Sequence, residues 1–93
     1  MMRSIEFTHL YLKDLRLARK RGLPEAELNA IVEKLAKDEF LEIKHKDHSL
    51  KGKYYGFREC HIRPDWLLIY KKEDARNLSL LYLMRTGTHS DLF

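Results

Sequence analysis

The sequence has little cysteine, proline or glycine: its 93 residues include one Cys, two Pro and four Gly. A single cysteine, Cys60, cannot form an internal disulfide, which excludes the small disulfide-stapled domains of extracellular proteins. No unbroken apolar run is longer than Trp66–Tyr70, far too short to span a bilayer. The first residues contain no apolar signal segment, so we expect no export. These features predict a single domain over residues 1–93, soluble and cytoplasmic.

Charge is abundant, with 18 Lys and Arg against 14 Asp and Glu and a formal net charge of +4. The basic residues are grouped along the chain: Arg16, Arg19, Lys20 and Arg21, then Lys44 and Lys46, then Lys51 and Lys53. Such groups indicate a polyanion or an acidic protein as partner. The first group is equally typical of the C-terminal end of a solvated helix, where the helix dipole favours cations. The sequence does not decide between these two interpretations.

The first half of the chain predicts one strand and two helices. Arg3–Thr8 has the composition of a short strand, and Thr8 can cap a helix that reaches Arg21 and ends at Gly22. A second helix begins at Pro24. Its apolar stripe has helical spacing: Leu28, Ile31, Val32, Leu35 and Ala36. Because the link is so short, we expect the helices to form an antiparallel hairpin.

The second half of the chain has the two-residue period of strands. The predicted segments are a loop over Phe40–Tyr54, a strand over Tyr55–Ile62, a turn at Arg63-Pro64-Asp65, a strand over Trp66–Lys72, a polar hairpin loop over Lys71–Asn77 and a strand over Leu78–Arg85, ended by Thr86-Gly87-Thr88. The order βααβββ predicts an α+β fold, with the helix hairpin on one face of a small, mainly antiparallel sheet. We expect the other face to stay partly open.

Histidines are concentrated in this second half, where His45, His48, His61 and His89 accompany Asp65, Arg58 and Arg85. His61 ends one predicted strand and Asp65 opens the next after a short turn, so the two must be neighbours at one rim of the sheet. Arg85 closes the last strand, and the glycine-containing turn after it can return His89 to that rim. The sequence therefore predicts a cluster of imidazoles with a carboxylate and a guanidinium.

Such a cluster suits the cleavage of RNA without a metal. The reaction needs a base for the 2′-hydroxyl, an acid for the leaving 5′-oxygen and a cation for the phosphate, and two histidines and an arginine can supply these. Tyr55, Trp66 or Phe93 could stack on unpaired bases. The sequence contains no glycine-rich phosphate loop, nucleophile elbow or paired-cysteine metal site.

Simpler interpretations exist for each residue. Trp66 at the start of an apolar strand is more typical of a core residue than of a base platform. His48 in a lysine-rich loop is usually solvated, and Asp65 after Pro64 is an ordinary turn residue. His45, His48, His61 and His89 could bind a transition metal with Asp65, but their spacing matches no standard metal site.

Two segments resemble the YafQ branch of the RelE/ParE toxin superfamily. They are the run His48–Tyr70, with its Arg58-Glu59-Cys60-His61 and Pro64-Asp65-Trp66 motifs, and the ending Arg85-Thr86-Gly87-Thr88-His89-Ser90-Asp91-Leu92-Phe93. Lys13-Asp14-Leu15 and Ala18-Arg19-Lys20-Arg21-Gly22 match more loosely. The resemblance implies a βααβββ toxin of a type II toxin–antitoxin pair. It also implies an mRNA interferase that acts on the ribosome, needs no cofactor or metal, and is held inactive by a DinJ- or RelB-like antitoxin.

The resemblance also implies roles for individual residues. His48, His61, Asp65 and His89 would handle protons, and Arg85 would stabilise the phosphate in the transition state. Trp66 and Phe93 would shape or stack the RNA. The basic residues expected on the RNA-binding surface are Lys51, Lys53 and Arg58. The sequence does not say which histidine is the base and which the acid.

Two residues and one predicted loop depart from the family pattern. Ser49 replaces a common proline, Tyr54 replaces a common tryptophan, and the predicted Lys71–Asn77 loop is longer than usual. No proposed catalytic group is lost. Two alternatives remain at this point: a toxin that binds a protein such as DNA gyrase, as other members of the superfamily do, and an inert module that only binds an antitoxin.

Overall fold

The computed structural model describes residues 2–93 and has the α+β architecture that the sequence predicts. In chain order its elements are β1 (Ser4–Phe7), α1 (His9–Lys20), α2 (Glu25–Ala36), β2 (His48–Ser49), β3 (Arg58–Arg63), β4 (Trp66–Ala75), β5 (Leu78–Gly87) and α3 (His89–Leu92). The short elements β2 and α3 were not predicted. Among the described residues, no helix combines the length and apolar character needed to cross a lipid bilayer.

The described strands form one five-stranded sheet in the order β1-β5-β4-β3-β2. β1 runs parallel to β5, and the other neighbouring pairs are antiparallel. The longest strands, β4 and β5, lie in the interior of the sheet. This explains why Trp66–Tyr70 is apolar without alternation: a strand covered on both faces needs apolar side chains on both.

The helix hairpin is defined at its ends by local hydrogen bonds. Thr8 Oγ1 accepts the backbone N–H of Tyr11 at 2.9 Å and caps α1, a contact that typically contributes about 1 kcal/mol. Gly22 has a φ of 75°, a left-handed conformation that suits glycine, and it turns the chain into α2. The apolar stripe of α2 packs on the sheet as predicted. This first core contains Tyr11, Ala18, Leu28, Ile31, Val32, Leu35, Ala36, Cys60, Ile62, Trp66, Leu68, Tyr70, Leu81 and Leu83.

The opposite face of the sheet is covered more fully than predicted. Tyr54, from the segment before β3, and Leu92, from α3, pack there against Leu67 and Ile69. Three partly buried side chains complete this second core: Leu50, Phe57 and Met84. The Tyr54 hydroxyl donates to the Leu92 carbonyl at 3.1 Å and ties the two covering segments together. The C-terminal residues are thereby held against the face of the sheet that β4 and β5 form.

The predicted hairpin loop over Lys71–Asn77 is wrong. β4 continues to Ala75, Arg76 and Asn77 form a two-residue turn, and β5 runs on through Gly87. Asn77 has a φ of 64°, which asparagine tolerates well and tight hairpins require. Lys71–Ala75 is polar because this end of the hairpin extends beyond both cores into solvent, so the longer loop inferred from the sequence does not exist.

The segment predicted as one loop, Phe40–Tyr54, also contains local structure. His48–Ser49 pairs with β3, and short 3-10 turns occupy Ile43–His45 and Gly52–Tyr54. β3 begins at Arg58 rather than Tyr55. The reason is that the Phe57 N–H bonds back to the Tyr54 carbonyl at 3.0 Å, which closes a turn where the sequence alternation predicts a strand.

Candidate active site

Strand β3 places His61 and Glu59 side by side on the face of the second core. Residues two apart in a strand share a face, and His61 Nε2 lies 3.2 Å from Glu59 Oε1. The other ring nitrogen, Nδ1, lies 3.3 Å from the Pro64 carbonyl, which can only accept a hydrogen bond. Glu59 is 4% exposed, unusual for a carboxylate. The His61 ring is thus held by a carbonyl on one side and a buried carboxylate on the other.

His48 reaches the same carboxylate from β2. It pairs with Glu59 in the sheet register, and its Nε2 lies 3.7 Å from Glu59 Oε1. Its Nδ1 donates to the Lys46 carbonyl at 2.6 Å, which fixes the ring from behind. Lys46 has a φ of 46°, an uncommon conformation for lysine that bends the chain so that this contact forms. Two imidazoles therefore converge on one glutamate oxygen.

His89 is brought to the cluster by the turn after β5. Its Nδ1 lies 2.7 Å from Asp65 Oδ1, and its backbone N–H donates to the same oxygen at 2.9 Å. These two bonds, the backbone one first, lower the pKa of Asp65, so its carboxylate stays ionised. The His89 and His61 ring centroids are 5.7 Å apart, and those of His61 and His48 are 6.5 Å apart. The predicted neighbourhood of His48, His61, Asp65 and His89 is what the structure contains.

The turn that carries His89 is itself well fixed. Thr88 and Asp91 form a reciprocal capping box, with Thr88 N–H to Asp91 Oδ2 at 2.9 Å and Asp91 N–H to Thr88 Oγ1 at 3.1 Å. Arg21, from the end of α1, donates to both Asp91 oxygens. This gives one member of the Arg16–Arg21 group a structural partner. Gly87 allows the approach, because a Cβ there would meet Asp91 Oδ2 at 2.9 Å.

Arg85 lies at the end of β5, next to Ile69 in the sheet register. Its Nε and Nη2 donate to the two carboxylate oxygens of Asp14 at 2.8 and 3.0 Å. These bonds are the largest cause of its raised pKa, and the Tyr54 phenol is a smaller one. The Tyr54 hydroxyl also donates to the Leu92 carbonyl, so Arg85 and the C-terminal turn share Tyr54 as a neighbour.

Comparison with known proteins identifies the family. A family model described as the bacterial toxin of type II toxin–antitoxin system, YafQ, matches residues 3–93. The chain belongs to the YafQ toxin family. It is 40% identical to the mRNA interferase toxin YafQ of Escherichia coli K12 over 94 residues, which cover 100% of this chain and 98% of that protein. The family match does not favour the gyrase-binding alternative.

Solved structures of this family share the fold. The toxin in the crystal structure of the E. coli DinJ-YafQ toxin-antitoxin complex aligns with a TM-score of 0.87 at 40% identity, covering 100% of this chain and 99% of that one. A metal-bound toxin from Helicobacter pylori aligns with a TM-score of 0.88 at 41% identity and covers 100% of both chains. The arrangement of the two helices on the mainly antiparallel sheet is therefore the YafQ fold.

One residue expected to contact RNA directly is buried. Trp66 is 2% exposed and belongs to the core beneath the helices, so its indole has no face free for a base. The predicted stacking role for Trp66 is wrong. Its position follows from strand alternation, because Trp66 shares a face with Leu68 and Tyr70, and that face is the one α1 and α2 cover.

Two other aromatic residues have exposed rings. Phe93 is 61% exposed, packs edge-on against the Tyr54 ring at 5.4 Å, and directly follows α3. Tyr55 is 82% exposed. Each has the accessible ring that stacking on an unpaired base requires. Phe93 and Tyr55, both named from the sequence, therefore remain candidates for RNA contact.

The basic residues expected to contact RNA differ in whether their side chains are bound to other protein groups. Lys51 and Lys53 are exposed, with Lys53 Nζ 5.2 Å from the Tyr54 ring centroid. Arg58 is tied to the residues on either side of His48, because it donates to Asp47 Oδ1 at 3.3 Å and to Ser49 Oγ at 2.9 Å. Arg58 thus supports the loop that carries His48, while the two lysines present unobstructed charge.

The donor set also bears on metal binding. Ligand atoms of Glu59, His61 and His89 all lie within 4.8 Å of one another, so these three residues could hold a transition-metal ion. His45, which the sequence grouped with them, is turned away, and its Nδ1 donates to the His61 carbonyl at 2.6 Å. Sequence reasoning missed Glu59. The available signal was its position two residues before His61, which places both side chains on one face of β3.

Proposed function

We propose that this chain is the toxin of a type II toxin–antitoxin pair and an endoribonuclease that cleaves mRNA on the ribosome, in the cytoplasm. The observation that carries the proposal is the convergence of three imidazoles with Glu59 and Asp65 at one end of the sheet. The relative named an mRNA interferase is 40% identical over the whole chain. Glu59 contacts His48 and His61, and Asp65 contacts His89. Histidines held by carboxylates in this way provide the acid and base that phosphodiester cleavage needs.

His89 is the proposed base. A carboxylate on Nδ1 fixes both the tautomer and the orientation of an imidazole, and it stabilises the positive charge when Nε2 takes a proton. Asp65 has this relationship to His89, at 2.7 Å. In the proposed step, Nε2 of His89 removes the proton of the 2′-hydroxyl while the 2′-oxygen attacks the adjacent phosphorus.

His61 is the proposed acid. Its Nδ1 faces a carbonyl and its Nε2 faces the Glu59 carboxylate, and neither oxygen can donate unless Glu59 is protonated. In the proposed step His61 enters as the imidazolium, with its Nε2–H directed at Glu59 Oε1. That proton passes to the leaving 5′-oxygen as the P–O5′ bond breaks. His48, 3.7 Å from the same carboxylate, lies where it can replace the lost proton.

Arg85 is proposed to stabilise the negative charge that develops on the phosphate oxygens, as a fixed cation can. The exposed Lys51 and Lys53 would contact neighbouring phosphates, and Phe93 would stack on a base beside the cleaved bond. The products of this reaction are a 2′,3′-cyclic phosphate and a 5′-hydroxyl. No metal ion or cofactor takes part in the proposed steps, which need only the side chains named here.

The proposed protein partner is a cognate antitoxin of the DinJ or RelB kind. The comparison structure is a complex of a YafQ toxin with DinJ, and this chain covers 99% of that toxin. The net charge of +4 favours an antitoxin segment rich in acidic residues, since opposite charges steer association and select the partner.

The proposal is tested with purified toxin and ribosomes programmed with a defined mRNA. Cleavage should persist in EDTA, and the fragments should carry a 2′,3′-cyclic phosphate and a 5′-hydroxyl, read by end-specific ligation. Loss of cleavage in EDTA, restored by added metal, would contradict the mechanism. A folded toxin that leaves the mRNA intact while its expression induces DNA-damage signalling would instead support a gyrase-type target.

A further inference from the structure

Asp14 on α1 is a largely covered carboxylate to which neither the sequence pattern nor the proposed mechanism gives a role. Its side chain is 9% exposed, and it accepts three hydrogen bonds from the end of β5. Two come from the Arg85 guanidinium, and the third comes from the Thr86 backbone N–H at 3.1 Å. β1 pairs with β5 only up to Leu83, so Asp14 takes over the edge of β5 where the neighbouring strand ends.

The two bonds from Arg85 use one side of the guanidinium group. Nε and one hydrogen of Nη2 point at Asp14. Arginine has five N–H donors in a rigid plane, so the edge between Nη1 and Nη2 still offers one hydrogen from each of these two nitrogens. That edge is a fork suited to two oxygens of one phosphate group. The Asp14 carboxylate therefore fixes the direction in which the free edge of the Arg85 guanidinium points.

We propose that Asp14 is a positioning residue that aims Arg85 at the scissile phosphate. The inference rests on the proposed role of Arg85 in the reaction. A free arginine side chain loses much rotamer entropy when it orders, and here that ordering is complete before substrate arrives. A preorganised cation is what transition-state stabilisation requires, since it needs no rearrangement during the reaction.

The placement of the pair supports a role beyond holding α1 to the sheet. Arg85 keeps 19% of its side chain exposed while Asp14 keeps 9%, so the arginine is the more accessible member of the pair. The charge is permanent, because Asp14 raises the pKa of Arg85 above its already high value. α1 carries Asp14 at its centre and is followed by Arg21, which holds Asp91 in the turn of His89. One helix thus braces two of the proposed catalytic groups.

A double-mutant cycle tests this inference. Single-turnover cleavage is measured for the wild type, Asp14→Asn, Arg85→Ala and the double variant, with the melting temperature of each as a check on folding. Asp14→Asn keeps the shape and an acceptor for Thr86, but its amide cannot hold both guanidinium nitrogens. The matched control is Glu25→Gln, which breaks the two-point pair between Glu25 and Arg19 on the solvent side of the same helices. Asp14→Glu, which moves the carboxylate by one methylene, replaces the Asn variant if that protein does not fold.

The expected result is a loss of about tenfold in the cleavage rate for Asp14→Asn and no further loss when Arg85 is already alanine. Glu25→Gln should cleave like the wild type. The inference is overturned if Asp14→Asn cleaves normally, or if it loses the same factor in both backgrounds, which is the signature of a purely structural role. Normal cleavage by Arg85→Ala would remove the role of Arg85 itself, and an inactive wild type would refute the proposed function.

Discussion

His61 Nε2 lies 3.2 Å from Oε1 of Glu59, a glutamate that strand β3 buries beneath the histidine cluster. His61 Nδ1 lies 3.3 Å from the Pro64 carbonyl at the same time, so both ring nitrogens face oxygen atoms. In the proposed mechanism, the proton on His61 Nε2 reaches the leaving 5′-oxygen. Glu59 is therefore as much a part of the site as the histidines that the sequence pattern made conspicuous.

The first prediction concerns Glu59. Replacing Glu59 with Gln removes the negative charge between His48 and His61 but keeps the shape, and we expect cleavage to fall about 10²-fold, a typical contribution of a proton-transfer group. Single-turnover cleavage measures the effect. The control is Glu73→Gln, which alters an exposed glutamate on β4 paired with Lys71. Equal rates for the two variants would show that the Glu59 carboxylate has no part in the reaction.

Two substitutions of Trp66 distinguish a role in packing from a role in RNA binding. Because Trp66 is buried, Trp66→Ala should lower the free energy of unfolding by about 3–5 kcal/mol, as large-to-small changes in cores do. Trp66→Phe should retain cleavage, since it keeps most of the packing and removes an indole N–H that has no acceptor among the described residues. Urea unfolding and cleavage assays measure both. A stable Trp66→Phe protein with a greatly raised KM for mRNA would restore the stacking role.

Gly87 tests whether the position of His89 matters. An added methyl group at Gly87 would lie 2.9 Å from Asp91 Oδ2 and 3.0 Å from Asp91 Cβ. Asp91 is held by Arg21 and Thr88, so it cannot yield without moving the turn that carries His89. We expect Gly87→Ala to lower the cleavage rate at least about tenfold while far-ultraviolet circular dichroism stays unchanged. Undiminished cleavage would show that the turn adapts without consequence.

Asp38, which lies outside the histidine site, is predicted to make the stability of the protein depend on pH in the acid range. Arg3 and then Lys72 lower the pKa of Asp38 from 3.8 to about 2. A carboxyl group whose pKa is lower in the folded state stabilises the protein above pH 3.8, and this contribution disappears as the pH falls through about 2. Asp38→Asn should therefore lose stability at pH 5 but little at pH 2. Urea midpoints at both values measure this, and an equal loss at both would contradict the linkage.

Much of the site could be predicted because it depends on short-range chain geometry. His61 and Asp65 flank a turn, so any pairing of β3 with β4 brings them together. The glycine-containing turn returns His89 to the same rim. The apolar stripe of α2 likewise has only one face to bury. Such features require only the period of a helix or strand and the length of a turn.

Other features depended on tertiary packing that no local pattern contains. Alternation along β4 places Trp66 on one face with Leu68 and Tyr70. Because both faces of β4 are apolar, the pattern could not say which of the two faces the helices cover. Glu59 has the sequence neighbours of an exposed strand residue, but in the fold it is buried, with His48 of β2 and His61 as its neighbours. The polar hairpin of β4 and β5 resembled a loop because its strands leave the core before they end.

The central claim is that His61 and His89, held by Glu59 and Asp65, perform the cleavage. Its most direct test is the rate at which a His61→Ala/His89→Ala double variant cleaves ribosome-bound mRNA, beside the wild type and with the melting temperature of both proteins. We predict a folded protein whose cleavage falls at least about 10⁴-fold, since groups that act together in proton transfer lose most of their effect together. A folded double variant that cleaves at the wild-type rate would contradict the account.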